Sequence, residues 1–105
     1  MNILLCCAGG MSTSLLVKKM QEAAVQMGIE SKIWAIGEAQ VVDNIQNADV
    51  LLLGPQIRFK LNDLKKMGKE HHIPVEVISM IDYGRINGKA VLEYAMKLIE
   101  LQKES

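Results

Sequence analysis

The segment Asp49-Val50-Leu51-Leu52-Leu53-Gly54-Pro55 constrains the fold of this chain more than any other. Its apolar residues run without polar alternation. A strand with one wet face alternates; a strand covered on both faces does not, and such strands belong to parallel sheets packed between helices. Gly54-Pro55 then stops it. Three further strands are predicted: Ile3 to Cys6, Lys32 to Ile36 around Ile33 and Trp34, and Val75 to Ile78. The segments between them carry a helical period. Leu16, Met20, Ala23 and Met27 recur at steps of four, three and four, with Lys18, Lys19, Gln21 and Glu22 on other faces. Gly28 is placed to end that helix. Glu38 to Ile45 carries a fainter helical pattern. Ile57, Leu61 and Leu64 mark a helix reaching about Lys69. Asn87-Gly88 precedes a last helix with the stripe Val91, Ala95 and Leu98, flanked by Leu92 and Ile99.

Strands alternating with helices predict an α/β fold: a three-layer sandwich with a four-stranded parallel sheet, order 2-1-3-4, and helices on both faces. Right-handed crossovers place every strand-to-helix loop on one edge of the sheet, where ligands bind. At 105 residues, with no repeat or linker, residues 1–105 are expected to form a single domain. Lys plus Arg and Asp plus Glu both number 12, so the net charge is zero and no nucleic-acid or lipid surface is expected. No apolar run approaches the roughly 18–20 residues of a membrane span, and no secretion signal is evident. The two cysteines are adjacent, which suits neither a structural disulfide nor a zinc site. A reducing cytoplasm is the expected setting, with no metal and no cofactor.

Chemistry concentrates after the first strand. Cys7 is followed by Ala8-Gly9-Gly10-Met11-Ser12-Thr13-Ser14 and then the helical Leu15-Leu16-Val17. This is a strand, a tight loop and a helix N-terminus. The first amides of a helix lack intrahelical partners and carry partial positive charge, so they favour anions, whether phosphate or thiolate. A nucleophile thus stands at the mouth of a phosphate-binding loop. In the 2-1-3-4 order that loop lies beside Gly54-Pro55-Gln56, and the segment from Ser79 through Asp82, Tyr83 and Gly84 flanks the same edge. His71 and His72 fall at the opposite edge and read as a solvated turn.

The stretch from Leu4 to Leu16 resembles the active-site region of the enzyme IIB components of bacterial sugar phosphotransferase systems, in their lactose/cellobiose/chitobiose family. There a cysteine is followed by two small residues and Gly-Met-Ser-Thr-Ser, places filled here by Cys7, Ala8-Gly9 and Gly10-Met11-Ser12-Thr13-Ser14. Two more matches, Asn47 to Ile57 and Pro74 to Ile78 with Tyr83-Gly84, follow in order across nearly the whole chain. The resemblance implies a phosphocarrier. Cys7 accepts a phosphoryl group from a phosphohistidine on enzyme IIA. It then passes the group to a β-linked disaccharide (cellobiose, chitobiose, lactose or a lichenan fragment) entering through membrane enzyme IIC. It also implies a cytoplasmic protein held at the membrane only through IIC. Backbone amides from Ala8 to Ser14 would hold the phosphoryl oxygens, Ser12, Thr13 and Ser14 would add hydroxyls or cap the helix, and Gly9 and Gly10 would let the backbone approach. Pro55, Gln56 and Tyr83 become candidates for the site's edge or a partner contact. Cys6 occupies an apolar strand-end position.

The alternative is a low-molecular-weight thiol phosphatase or arsenate-reductase-like enzyme, which shares the cysteine and phosphate loop after the first strand. Those enzymes need Cys-x5-Arg, whose guanidinium clamps the phosphate and stabilises the transition state. Thr13 stands at that position. A receiver-like signalling module would need acidic residues where Cys7 and Gly54 stand.

Overall fold

The computed structural model describes residues 1–8 and 11–104, with the backbone alone for Met11 and Ser12. Four parallel strands, β1 (Asn2–Cys7), β2 (Lys32–Gly37), β3 (Val50–Leu53) and β4 (Val75–Val77), form one sheet in the order β2-β1-β3-β4. The register pairs Cys7 with Gly37 on one side of β1, and Cys6 with Leu53 on the other. This is the three-layer α/β sandwich expected from the strand patterns.

Side chains alternate across each strand, so the apolar runs of β1 and β3 feed two cores at once. Ile3, Leu5, Val50 and Leu52 pack under α1 (Met11–Gln26) and α5 (Gly88–Glu104). Leu4, Cys6, Leu51 and Leu53 pack on the opposite face with Val41, Ile45, Ile57 and Leu64. That double burial is the physical meaning of a run without polar alternation.

Helix α1 buries Leu16, Met20, Ala23 and Ala24. It ends in a Schellman turn: Ile29 N–H donates to Ala24 O (2.9 Å), Gly28 N–H to Val25 O (3.1 Å), and Gly28 adopts φ +68°. Met27 lies beyond the helix end and is 40% exposed, so the buried stripe runs through Ala24 instead. Helix α5 is capped by Asn87, whose Oδ1 accepts from Ala90 N–H at 3.1 Å.

Two expected helices are interrupted. The segment after β2 is a 3₁₀ turn (Glu38–Gln40), a single α-turn α2 (Val41–Asn44) and another 3₁₀ turn (Ile45–Asn47). Val41, Ile45 and Ala48 are all buried, so the helical spacing was genuine, but the backbone tightens at both ends to return to β3. After β3, Pro55–Lys60 forms 3₁₀ turns with a kink at Ile57 before α3 (Leu61–Glu70) begins. The segment after β4 contains a short helix α4 (Met80–Gly84), because Ser79 Oγ accepts from Asp82 N–H and caps its start.

Candidate functional site

Strand β1 sends its two adjacent thiols to opposite faces of the sheet. Cys6 is fully buried in the α2/α3 layer. Burial, aided by neighbouring Cys7 and Glu38, pushes its thiol up to about 11, so at neutral pH it stays protonated as well as inaccessible. Cys7 follows the parity of Ile3 and Leu5 toward the α1 layer. It is 4% exposed, but it lines a cavity of about 220 Å³ together with Ala8, Ser14, Ala35, Ile36, Gly37 and Gln40. A small electrophile therefore distinguishes the two thiols. In the folded protein at pH 8, iodoacetamide is expected to alkylate Cys7 and leave Cys6 untouched until denaturant is added. Peptide mapping reads the result, and equal labelling of both would contradict this placement.

Three of the predicted segments meet at the thiol. Gly54 N–H donates to Cys6 O at 2.9 Å and ties the end of β3 to the end of β1. A β-carbon placed on Gly54 would lie 2.9 Å from Gln56 Oε1, 3.3 Å from Cys7 Cβ and 3.6 Å from a Tyr83 ring carbon. One point in space therefore touches the β1, β3 and β4 loops, and only hydrogen occupies it. Pro55 is buried and opens the 3₁₀ turn behind this junction. Gln56 and Tyr83 thus stand close to Cys7.

Thr13, expected from the sequence to be a phosphate donor or cap, has a partner across the fold. It is 1% exposed, and its Oγ1 shares a 3.0 Å hydrogen bond with Tyr83 Oη, 70 residues away. The hydroxyl fastens the first turn of α1 to α4. An arginine at this position would have to displace Tyr83. Ala8 and Ser14 are exposed and line the cavity. Gly9 and Gly10, and the side chains of Met11 and Ser12, lie outside the described residues.

Among the described residues, no lysine or arginine lines the cavity. Lys60, on the turn after β3, pairs with Glu38 at 2.8 Å. That hydrogen bond, with the carboxylate's charge, holds the lysine above its ordinary range. Arg58 reaches the Met80 sulfur at 4.0 Å. His71 and His72 occupy the exposed turn after α3, at the opposite end of the sheet. A larger cavity of about 500 Å³ there includes His72, Lys65, Lys69 and Glu76. Its lining contains no nucleophilic thiol or hydroxyl, and its Lys65 and Glu76 are paired with each other at 3.0 Å.

No local motif in the sequence points to the wall formed by Gly37 and Gln40. The 2-1-3-4 order contains its signal, because β1 has a neighbour on each side and the end of β2 must border Cys7 as closely as the end of β3 does.

Residues 2–94 match the family model described as the lactose/cellobiose-specific IIB subunit of the phosphotransferase system. The chain is 45% identical over 98 residues to the oligo-beta-mannoside-specific EIIB component of Bacillus subtilis, covering 93% of this chain and 95% of that protein. A lactose-specific EIICB component of Staphylococcus haemolyticus is 26% identical over 94% of this chain, which spans 17% of that longer protein. The solution structure of a cellobiose-specific phosphotransferase IIB component from Borrelia burgdorferi superposes with a TM-score of 0.81 at 41% identity. That match covers 97% of this chain and 94% of the other. The cysteine at the end of β1, the 2-1-3-4 sheet and these matches agree, and the chain belongs to the lactose/cellobiose-specific IIB family of the phosphotransferase system.

Proposed function

We propose that this chain carries a phosphoryl group on Cys7 between two partners of the sugar phosphotransferase system. IIB components act as phosphotransferases in sugar uptake, and the family implies IIA and IIC partners in general. In the forward step the Cys7 thiolate attacks the phosphorus of a phosphohistidine on IIA. The S–P bond forms as the P–N bond breaks, and its electron pair returns to the imidazole nitrogen. In the onward step a sugar hydroxyl oxygen attacks phosphorus, the S–P bond breaks, and the thiolate leaves while the hydroxyl proton passes to a base. A β-linked disaccharide is the proposed acceptor.

The position of the Cys7 thiol carries this reading. It ends the first strand, opens onto a cavity roomy enough for a phosphoryl group beside the first turn of α1, and has no cation among the described residues of the cavity wall. Helix N-terminal amides stabilise an adjacent anion by about 0.3–1 kcal/mol at exposed sites and up to about 2 kcal/mol when partly buried. That range suits temporary storage. A bidentate arginine would bind the group more strongly and deepen the well from which it must leave. The rim also suits a protein that meets other proteins: Phe59, Met80 and Ile81 on the segments after β3 and β4 are 74%, 69% and 67% exposed. Among the described residues no helix is long and apolar enough to cross a membrane, and association with the membrane is proposed to run through IIC.

Two assays on the same sample test the reading. The protein is expected to accept the phosphoryl group from phosphorylated IIA and retain it, with negligible turnover of p-nitrophenyl phosphate. Robust turnover without acceptance from IIA would instead favour the thiol phosphatase.

A further inference from the structure

We infer that Gln40 contacts the phosphoryl group held on Cys7, its side-chain amide donating a hydrogen bond to a phosphoryl oxygen. The inference rests on the phosphocarrier reading above and adds the β2 wall to the surroundings of Cys7.

Register fixes the neighbourhood. Cys7 pairs directly with Gly37 across β1 and β2, and adjacent strands lie about 4.8 Å apart. Beyond Gly37 the chain makes a 3₁₀ turn, and Gln40 folds back so that Gly37 N–H donates to its Oε1 at 3.1 Å. A backbone N–H can meet only an acceptor, so this bond fixes the amide's orientation. The oxygen is committed to Gly37, which leaves the NH2 as the end available to donate elsewhere. Among the described residues that NH2 has no hydrogen-bond partner, whereas the Gln40 carbonyl is engaged by Asn44 Nδ2 at 2.8 Å.

Among the described residues, few side chains in the cavity can add to the backbone amides at the start of α1. Apart from the thiol, Ser14 and Gln40 supply the hydrogen-bonding side chains in its lining. Ser14 stands on the α1 side and Gln40 on the β2 side, so a group attached to sulfur between them is met from both directions. A neutral amide suits the task. It orients the phosphoryl oxygens without the full charge that would oppose release.

Two substitutions separate contact from scaffolding. Gln40→Ala removes both the Gly37 acceptor and the NH2 donor. Gln40→Glu keeps an acceptor for Gly37 N–H but removes the donor and places a carboxylate beside the phosphoryl group. With phosphorylated IIA as donor, the equilibrium constant for Cys7 phosphorylation is expected to fall about tenfold in Gln40→Ala, the worth of one hydrogen bond to a charged group. In Gln40→Glu it is expected to fall about a hundredfold through charge repulsion. In the wild type, the Gln40 side-chain amide resonances should shift when the thiol is phosphorylated, a response that a purely structural Gln40 would not give. Melting temperature and the rate of Cys7 alkylation report whether each variant is folded. Wild-type equilibria in both folded variants, or an unmoved Gln40 amide in a protein phosphorylated on Cys7, would overturn the inference and leave the carrier reading intact. A wild-type protein that takes no phosphoryl group on Cys7 would overturn both.

Discussion

Replacing Cys7 by alanine is expected to abolish acceptance of the phosphoryl group from IIA, while replacing Cys6 by serine leaves it near the wild-type level. The thiols are neighbours in sequence, but the pleat of β1 gives them different surroundings. Cys7 opens onto the cavity at the start of α1; Cys6 is sealed among Val41, Ile45, Leu51 and Leu53 and holds its proton up to about pH 11. Loss of a covalent nucleophile costs at least about 10³-fold in comparable cases, so Cys7→Ala should fall to background. Cys6→Ser acts on stability instead. A hydroxyl brought into that apolar layer without a partner costs about 1–3 kcal/mol. Rapid-quench phosphorylation with IIA, beside thermal melts of both variants, separates a functional loss from a structural one. Acceptance lost in a well-folded Cys6→Ser protein would reverse the assignment.

The second large effect concerns the support of the α1 layer. Gly88 begins α5 where it crosses α1, and it is buried. A β-carbon there would lie 2.6 Å from Met20 N and 2.7 Å from Lys19 Cβ. The obstacle is mainly helix backbone, so no side-chain rotation relieves it. Gly88→Ala must push α5 away from α1 and loosen the layer containing Val91, Leu92 and Ala95. Overpacking of this kind costs about 1–3 kcal/mol, which for a chain of this size lowers Tm by roughly 5–15 °C. Gly84→Ala is the control. A β-carbon there meets nothing within 4 Å, and alanine is the better helix former. Calorimetry should show a large fall for Gly88→Ala and little change, or a small rise, for Gly84→Ala. Equal melting temperatures would show that the helix crossing yields more easily than its geometry implies.

The parts of this molecule legible in its sequence are those governed by local periodicity. Val50 to Leu53 announced a doubly covered strand, and the structure buries all four residues. The steps from Leu16 to Ala23 announced α1, and Gly28 its end. The strand order then brought Gly54, Gln56 and Tyr83 to Cys7, because a parallel sheet gathers its C-terminal loops at one edge. Features that depend on contact across the chain were not legible. Nothing near Thr13 signals that its hydroxyl belongs to Tyr83, and the helical spacing of Val41 and Ile45 does not reveal how tightly the chain must turn to reach β3. The cavity wall at Gly37 and Gln40 lay between these cases. The topology implied it, but the local motifs pointed only to the other side of β1.

Site mapping of the phosphorylated wild-type protein tests the account most directly. The protein is incubated with IIA and its phosphoryl donors, then digested under conditions that preserve the S–P bond and sequenced by tandem mass spectrometry. The account predicts a single phosphoryl group, on Cys7. Phosphorylation of Cys6, His71 or His72, or prompt release of inorganic phosphate with no modified residue, would contradict it.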